Sequence, residues 1–243
     1  MNLLKGRGPI LGMALTGVAG LALGAVAARA ADDVPNRAAI EAVVRAYILD
    51  HPEIIPEAIA RLQTRETTRA VAADRQAIEK PFAGAWAGNP KGDVTLVMFT
   101  DYSCGFCKAS APDIDRLLAA DPKLKVVWRE IPVLGPQSVV AARAALAAAK
   151  QDRYLPFHRA VFAGSRPDDA HLASAGREVG LDARRLAIDR AGADVADELQ
   201  SNLALAGRLR IEGTPAFVIG DQVLGGAVGH DALAKAIAAA RKS

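Results

Sequence analysis

The chain contains two cysteines, Cys104 and Cys107, and they form a Cys-Gly-Phe-Cys motif with Gly105 and Phe106 between them. The motif directly follows an apolar run, residues 94–99, that is typical of a buried strand. The residues after the motif carry apolar side chains at helical spacing, so the motif is predicted to lie where a strand ends and a helix begins. The unpaired N–H groups of a helix N-terminus favour an anion, and the thiolate is the reactive form of cysteine. The motif therefore predicts a thiol–disulfide redox site.

Three other interpretations of the cysteine pair are less well supported. A structural disulfide across two residues closes a very short loop and removes little entropy from the unfolded chain. A zinc site normally needs four ligands, and the four histidines are scattered along the sequence. Two inert buried thiols would be unusual beside a Gly-Phe spacer at a helix start. The sequence therefore predicts a redox-active disulfide between Cys104 and Cys107, with no metal and no other cofactor.

Residues 1–30 have the pattern of a secretory signal peptide. Lys5 and Arg7 form a charged start, residues 10–28 are apolar, and Ala28-Arg29-Ala30 is a small-x-small cleavage site. The alternative is an uncleaved membrane anchor, because the apolar run approaches spanning length. We expect cleavage after Ala30 and a periplasmic location for the mature protein.

The charge balance gives no reason to expect a nucleic-acid partner. The formal net charge is +3, and residues 1–30 hold three of the 30 basic residues and none of the 27 acidic ones. The mature chain is therefore formally neutral. No basic arm or patch favours nucleic acid or an anionic membrane surface.

Residues 31–80 are predicted to form an N-terminal helical segment. Its pattern breaks and restarts at Asp50-His51-Pro52-Glu53, where proline is acceptable in a first helical turn. Apolar residues recur at three-to-four spacing on both sides of the break: Ile40, Val43, Val44 and Tyr47, then Ile55, Ile59 and Leu62. Past Leu62 the apolar side of the helix thins to Ala70, Ala73, Ala77 and Ile78 among many charges, and so narrow a stripe is too weak to fold alone. The segment therefore either lies on its own domain or brings copies of the chain together as a homo-oligomer.

The remaining chain, residues 81–243, is predicted to form one α/β domain. A linker rich in proline and glycine covers residues 80–92, and Trp86 within it suits an edge strand. From Val94 the predicted order is strand, helix, strand, a helical insertion at about 136–210, two short strands and a final helix. Strands at both ends with helices between them predict a mixed sheet.

Thr214 and Pro215 stand at the head of the apolar run that follows the helical insertion. Proline cannot donate to a sheet ladder, so it belongs at a strand start or on an edge. An X–Pro bond is also the one common place for a cis peptide. A cis proline facing the thiols would let the Thr214 backbone bind an extended client segment as a strand would.

The combination of motifs resembles the thioredoxin superfamily and, within it, the DsbA-like branch. The resemblance rests on the Cys-Gly-Phe-Cys motif after a strand, the Thr-Pro pair before one and the helical insertion between them. Further stretches resemble the Com1/ScsC-type subgroup: residues 88–97, 134–138, 154–158, and the N-terminal residues 40–62 with their His-Pro-Glu break. The resemblance implies a thioredoxin fold with a helical insertion, preceded by an N-terminal helical segment.

The resemblance also implies roles for the site residues. Cys104 would attack and form the mixed disulfide, Cys107 would be the buried resolving thiol, and Thr214 with Pro215 would dock the client. Threonine before the cis proline is shared with DsbC-like isomerases, and the spacer lacks the histidine of DsbA. These features favour an isomerase or reductase. The implied partners are unfolded or misfolded exported proteins and a membrane redox partner.

One position departs from the pattern. Many relatives carry an acidic residue six positions before the first cysteine, where it relays protons to the buried thiol. This chain has Met98 there, and Asp101, three positions before Cys104, is expected to point elsewhere. The departure predicts slow deprotonation of Cys107 and slow release of mixed disulfides.

Other functions stay open at this point. A DsbA-like oxidase would use the same two thiols in the opposite direction. A Cu(I)-binding copper-tolerance protein would use them as soft ligands. A holdase chaperone would use the helical segment and keep its activity when both cysteines become serine.

Overall fold

The computed structural model describes residues 36–164 and 166–242. The predicted signal peptide and its cleavage site lie outside the described residues. Within the described ranges, no helix is both long enough and apolar enough to span a bilayer.

The described residues divide into two compact units, one that ends at residue 58 and one that begins at residue 59. The described part of the first unit contains helix α1 (Arg37–Asp50) and the first residues of helix α2 (Ile54–Glu79). The backbone N–H of His51 donates to the Tyr47 carbonyl at 2.9 Å and ends α1, where the sequence pattern predicts the helix break. The predicted boundary at residues 80–81 stays a prediction.

The second unit is built on a mixed five-stranded sheet with the order β1-β3-β2-β4-β5. The strands are β1 (Trp86–Gly88), β2 (Val94–Thr100), β3 (Leu124–Glu130), β4 (Ala216–Ile219) and β5 (Gln222–Gly225). Strands β2 and β3 pair in parallel, and the other three pairs are antiparallel. Strand β1 is an edge strand, as Trp86 predicts.

The helices of this unit connect the strands as the sequence predicts. Helix α3 (Gly105–Ala120) links β2 to β3, and α9 (His230–Ala240) follows β5. The helical insertion between β3 and β4 has five members: α4 (Pro136–Ala149), α5 (Tyr154–Ala163), α6 (Asp169–Glu178), α7 (Ala183–Arg190) and α8 (Ala193–Arg208). The sequence prediction of a mixed sheet with a helical insertion is therefore confirmed.

The two faces of the sheet bury two different cores, because successive side chains of a strand point to opposite faces. The first core holds Leu96 and Met98 of β2 with Cys104 and Cys107, and the helical insertion packs on it. The second core holds Val97 and Phe99 of β2, their neighbours on β3 and β4, and residues of α8. The redox motif therefore belongs to one face of the sheet.

The C-terminal half of α2 is part of the second core. Val71 and Ile78 are each 1% exposed and pack with the side chains of that sheet face. The N-terminal half of the helical segment differs, because its apolar side chains are exposed: Ile40, Val43, Val44, Tyr47, Leu49, Ile55, Ile59 and Leu62. The sequence left two interpretations of this segment open, packing on its own domain or assembly with other copies. Residues 71–78 pack on their own domain.

Arg129 of β3 ties the end of α2 to the sheet. Its guanidinium donates to the Ile78 carbonyl at 3.3 Å, to Glu198 Oε1 at 2.8 Å and to Asn202 Oδ1 at 3.0 Å. The last carbonyls of a helix have no partner within the helix. Arg129 therefore satisfies the end of α2 with a buried, paired charge.

Candidate active site

Cys104 is the N-cap of α3 and lies between the end of β2 and the first helical turn. Its sulfur accepts the backbone N–H of Cys107 at 3.3 Å. A capping sulfur meets the N–H groups that the first turn leaves unpaired, and those groups stabilise negative charge. The strand-to-helix position predicted for the motif is thus the position found.

The two thiols differ in their surroundings. Cys104 is 6% exposed and borders a surface cavity, whereas Cys107 is 0% exposed. Both are free thiols. Burial raises the pKa of the Cys107 thiol to about 12. Cys104 is therefore the sulfur that a client can reach, and Cys107 needs help to lose its proton.

The spacer residues form the outer surface of the motif. Phe106 is 69% exposed, and a Cβ added at Gly105 would meet no atom within 4 Å. Val133 and Leu134 are 52% and 54% exposed, and their backbone N–H groups bond to Asp101, three residues before the motif. An apolar surface therefore adjoins the reactive sulfur.

Thr214 and Pro215 lie directly beside the thiols, although 110 residues separate Thr214 from Cys104. The Thr214–Pro215 bond is cis. The Cys104 thiol donates to the Thr214 carbonyl at 3.2 Å, and a hydrogen bond from the Thr214 side chain acts to lower the pKa of Cys107. The fold thus brings together all four residues that the sequence marks as reactive or docking groups.

Two cavities flank this contact. The cavity of about 620 Å³ beside Cys104 is lined by Tyr102, Ser103, Cys104, Gly105, Lys108, Gln137, Arg166, Pro167 and Asp168. A cavity of about 640 Å³ on the other side has Thr214 in its wall, together with Gln63 and Thr67 of α2 and residues 209–213, 216, 223, 225 and 226. The Cys104–Thr214 contact therefore lies between two concave surfaces that could hold a client segment.

A cluster of buried polar side chains lies on the same sheet face as Cys107. Tyr154 donates its hydroxyl to Glu130 Oε1 at 2.5 Å, and the Tyr102 hydroxyl lies 2.9 Å from His158 Nδ1. Burial raises the pKa of Glu130 to about 8 and lowers the pKa of His158 to about 3. His158 is therefore neutral, and its ring packs against Tyr102 and Tyr154.

Sequence reasoning missed Glu130. The signal that could have found it is a carboxylate at the end of a predicted strand, directly after the apolar run Val126-Val127-Trp128 and one arginine. In the structure it is in register with Thr100 of β2. The structure also shows why Asp101 is not an acid for Cys107. Its carboxylate accepts the backbone N–H groups of Ser103, Val133 and Leu134 at 2.8, 2.9 and 3.1 Å, so it is committed to the loop after β3, as expected.

Comparison with known proteins agrees with this geometry. Residues 95–238 match the family model of the DSBA-like thioredoxin domain. The chain belongs to that family. Residues 36–67 match a second model, the copper resistance protein ScsC N-terminal domain. The resemblance to a DsbA-like protein of the Com1/ScsC-type subgroup, with its thioredoxin fold, is confirmed.

Solved structures give the same result. A thioredoxin-like oxidoreductase from Silicibacter pomeroyi is 40% identical with a TM-score of 0.65, over 68% of this chain and 96% of that one. ScsC from Proteus mirabilis is 30% identical with a TM-score of 0.66, over 86% and 98%. A periplasmic thioredoxin-like protein from Salmonella enterica serovar Typhimurium is 28% identical with a TM-score of 0.61, over 70% and 96%. The predicted enzyme class, a thiol–disulfide oxidoreductase, agrees with these neighbours.

The matching curated relatives are longer proteins. The Na(+)/H(+) antiporter NhaA 3 of Salinispora tropica is 28% identical over 159 residues, which is 63% of this chain and 24% of the relative. The chain therefore spans about a quarter of the length of the curated relatives that it matches. Within the described part of the chain, no group of three or more His, Cys, Asp and Glu side chains could hold a metal ion.

Proposed function

We propose that this protein exchanges disulfides with exported protein clients in the periplasm and works mainly as an isomerase or reductase. The observation that carries the proposal is the contact between the Cys104 thiol and the Thr214 carbonyl at 3.2 Å. It places a helix-capping sulfur beside a backbone that can bind an extended segment. The periplasmic location is supported by the leader pattern of residues 1–30 and by the family.

The reaction uses two thiols with separate tasks. The Cys104 thiolate attacks one sulfur of a client disulfide, so that a Cys104–client disulfide forms and the other client sulfur leaves as a thiolate. Cys107 then attacks Cys104, the Cys104–Cys107 disulfide forms, and the second client sulfur leaves. Two electrons pass from the cysteine pair to the client. A reductase therefore needs a membrane redox partner that returns them, whereas an isomerase regains its thiol when the client closes a different bond.

The first test uses the chain without its predicted leader, residues 31–243, and a client with scrambled disulfides. We expect reactivation of the client, loss of that activity in Cys104→Ser, and a trapped mixed disulfide in Cys107→Ser. Absence of reactivation combined with fast oxidation of a reduced client would show an oxidase instead. Retention of activity in Cys104→Ser would contradict the proposal altogether.

The exposed apolar residues of α1 support a further part of the proposal, a homo-oligomer formed through residues 36–80. Val43 is 69% exposed and Tyr47 is 55% exposed, and an isomerase profits when several reactive sites act on one client. We expect Val43→Lys to lower both the oligomeric mass in light scattering and the reactivation rate. Ala42→Lys is the matched control, because it adds the same charge on the opposite face of the helix. Equal masses for both variants would contradict this part.

Copper binding is the second candidate, and the match of residues 36–67 to an ScsC domain described as a copper resistance protein favours it. The matched segment contains neither cysteine. A Cu(I) titration against a competing chelator tests the candidate directly. Tight binding that needs both Cys104 and Cys107, in a protein that fails to reactivate the client, would favour a copper carrier over the enzyme.

A further inference from the structure

Resolution of the mixed disulfide raises a question about protons. Cys107 is 0% exposed, and its thiol must lose a proton before its sulfur can attack Cys104. The position that carries the relay acid in many relatives is Met98, which is also buried and apolar. The carboxylate of Asp101 is committed to three backbone N–H groups. A different group must receive the proton.

Three polar atoms on the buried face have no hydrogen-bond partner among the described residues: Thr100 Oγ1, Trp128 Nε1 and Glu130 Oε2. Of these, Thr100 Oγ1 and Glu130 Oε2 can accept a proton. Thr100 and Glu130 are paired in the parallel register of β2 and β3, and both are 0% exposed. They continue the face that carries Met98 and Trp128, so both side chains point to the side of the sheet on which Cys107 lies. Buried polar atoms are normally satisfied, and exceptions need an explanation.

Thr100 connects the thiol to the carboxylate. Thr100 continues the sheet face on which Met98 and Cys107 pack, and its side chain acts to lower the pKa of the Cys107 thiol. A hydroxyl can accept one proton and donate another at the same time. Directly opposite stands the unpartnered oxygen of Glu130. Cys107, Thr100 and Glu130 therefore lie on the same face of the two central strands, with Thr100 in register with Glu130.

The surroundings hold Glu130 in place without neutralising it. The Tyr154 hydroxyl donates to Glu130 Oε1 at 2.5 Å. The Tyr102 hydroxyl interacts electrostatically with both Glu130 and Cys107. Asp101 is the acidic group whose charge acts on Glu130. The ring of neutral His158 packs against Tyr102 and Tyr154. The nearest cation along the strand, Arg129, points to the other face and is paired there with Glu198 at 2.8 Å. Glu130 is therefore free to change its protonation state.

We propose that Glu130, acting through the Thr100 hydroxyl, receives the proton of Cys107 during resolution and returns it when the Cys104–Cys107 disulfide is reduced. This inference rests on the proposed function. In the forward step the Cys107 proton passes to Thr100 while the Thr100 proton passes to the Glu130 carboxylate. The Cys107 thiolate then forms the bond to Cys104, the Cys104–client bond breaks, and the client sulfur leaves as a thiolate that takes a proton from water.

The test follows the two thiols separately with the chromogenic disulfide dithiobis(nitrobenzoate). Each attack by a protein thiol releases one coloured thionitrobenzoate. The chain has only two cysteines, so the reduced protein gives two phases in rapid mixing. The first is the attack by Cys104 and depends on reagent concentration. The second is resolution by Cys107 and does not. We expect the second phase of the wild-type protein to accelerate with pH and level off near pH 8, where Glu130 ionises.

Glu130→Gln keeps the shape of the side chain and removes its ability to accept a proton. We expect it to slow the second phase by roughly 10²-fold near pH 8, the usual size of a general acid–base effect, and to remove the levelling near that pH. The first phase should not change. Thr100→Val, which lacks the hydroxyl, should slow the second phase in the same way, whereas Thr100→Ser, which keeps the hydroxyl, should restore it.

Two further variants separate proton transfer from structure. Glu198→Gln is the matched control, because it also removes a largely buried carboxylate of the same domain but one that is paired with Arg129. It should leave both phases unchanged. Met98→Glu combined with Glu130→Gln puts the acid back on the same sheet face and should restore most of the second phase. If this double variant does not fold, the comparison of Thr100→Val with Thr100→Ser tests the relay instead.

The outcomes are distinguishable. A second phase in Glu130→Gln with the wild-type rate and pH profile would overturn the inference, and so would an equal slowing in Glu198→Gln. A wild-type protein that releases coloured thiol but fails to reactivate a scrambled client leaves the relay standing and removes the isomerase proposal. A wild-type protein without any second phase would overturn the inference and the reductase route, and it would leave only an isomerase that works through Cys104 alone.

Discussion

Arg129 and Glu130 are neighbours on β3, and the pleat of the strand sends their side chains to opposite faces of the sheet. Arg129 is 4% exposed and Glu130 is 0% exposed, so each takes an ionisable group out of water. Arg129 meets a carboxylate, an amide oxygen and a helix carbonyl. Glu130 has one oxygen bonded to Tyr154 and one with no partner in the described structure.

The difference separates architecture from chemistry. A buried charged group whose hydrogen bonds and ion pair are all made links two elements of the fold, and its protonation state stays the same. A buried acid with an unmade bond sits at a raised pKa and can exchange a proton at a pH near neutrality. One face of the sheet therefore anchors α2, and the other serves the redox site.

The largest effect on the free energy of unfolding is expected from breaking the buried pair of Arg129 and Glu198. Arg129→Met leaves Glu198 without its counter-charge and the end of α2 without a donor, so it should lower the free energy of unfolding by about 3–5 kcal/mol. Urea unfolding measures this loss. Arg129→Lys keeps the charge without the planar fork and should recover only part of it. A Met variant as stable as the wild-type protein would show that Arg129 does not hold α2.

On the unpaired side, Glu130 should make stability depend on pH. Its pKa rises from 4.5 to about 8 on folding, so the unfolded chain releases this proton first and stability is lost as pH rises through that window. Glu130→Gln should shrink the loss of stability between about pH 5 and about pH 8 by on the order of 3 kcal/mol. Urea unfolding at the two pH values measures it.

His158 is the internal reference for that experiment. Its folded pKa is lowered from 6.5 to about 3, so its contribution to stability is lost as pH falls below its unfolded pKa, the opposite direction. That contribution is common to the wild-type protein and to Glu130→Gln. An unchanged pH dependence in the variant would therefore show that Glu130 is already ionised in the folded protein at neutral pH.

A smaller effect should distinguish the two halves of α2. Ile78→Val removes one methyl group from the second core and should cost about 1 kcal/mol. Ile59→Val makes the same change on the same helix at a side chain that is 51% exposed, and we expect a change within about 0.5 kcal/mol. Thermal unfolding of both variants gives the comparison. An equal cost at Ile59 would show that this side chain is buried in the assembled protein.

The smallest effect should come from an ion pair of the same chemistry at the surface. Arg208 bonds both carboxylate oxygens of Asp74 at 2.8 and 3.1 Å, and the Arg208 side chain is 52% exposed. Asp74→Asn should cost about 0.2–1 kcal/mol, and the cost should shrink when salt is added. A salt-independent loss as large as that of Arg129→Met would contradict the distinction between buried and surface pairs.

Much of the fold was predictable because its signals are local. The apolar run before Cys104 and the helical pattern after it fix the strand, the turn and the helix within a few residues of one another. Three of the four breaks in the helical insertion contain glycine or proline, whereas the break between α4 and α5 contains neither. The helical segment was predicted less fully, because Val71 is not one of the apolar positions that its helical spacing predicts. The burial of Val71 depends on contacts with strands that lie later in the chain.

Residue type and short-range spacing are enough to identify the cysteine pair, the strand-to-helix position of Cys104 and the Thr-Pro pair. The folded chain is needed to see that Thr214 contacts the Cys104 thiol, that the hydrogen bonds of Arg129 are made and that one oxygen of Glu130 has no partner among the described residues. These contacts and register pairs join residues that are 30 to 110 positions apart in the chain. The register of β2 and β3 creates the pair of Thr100 and Glu130, and no local pattern encodes which side chains a parallel register sets opposite each other.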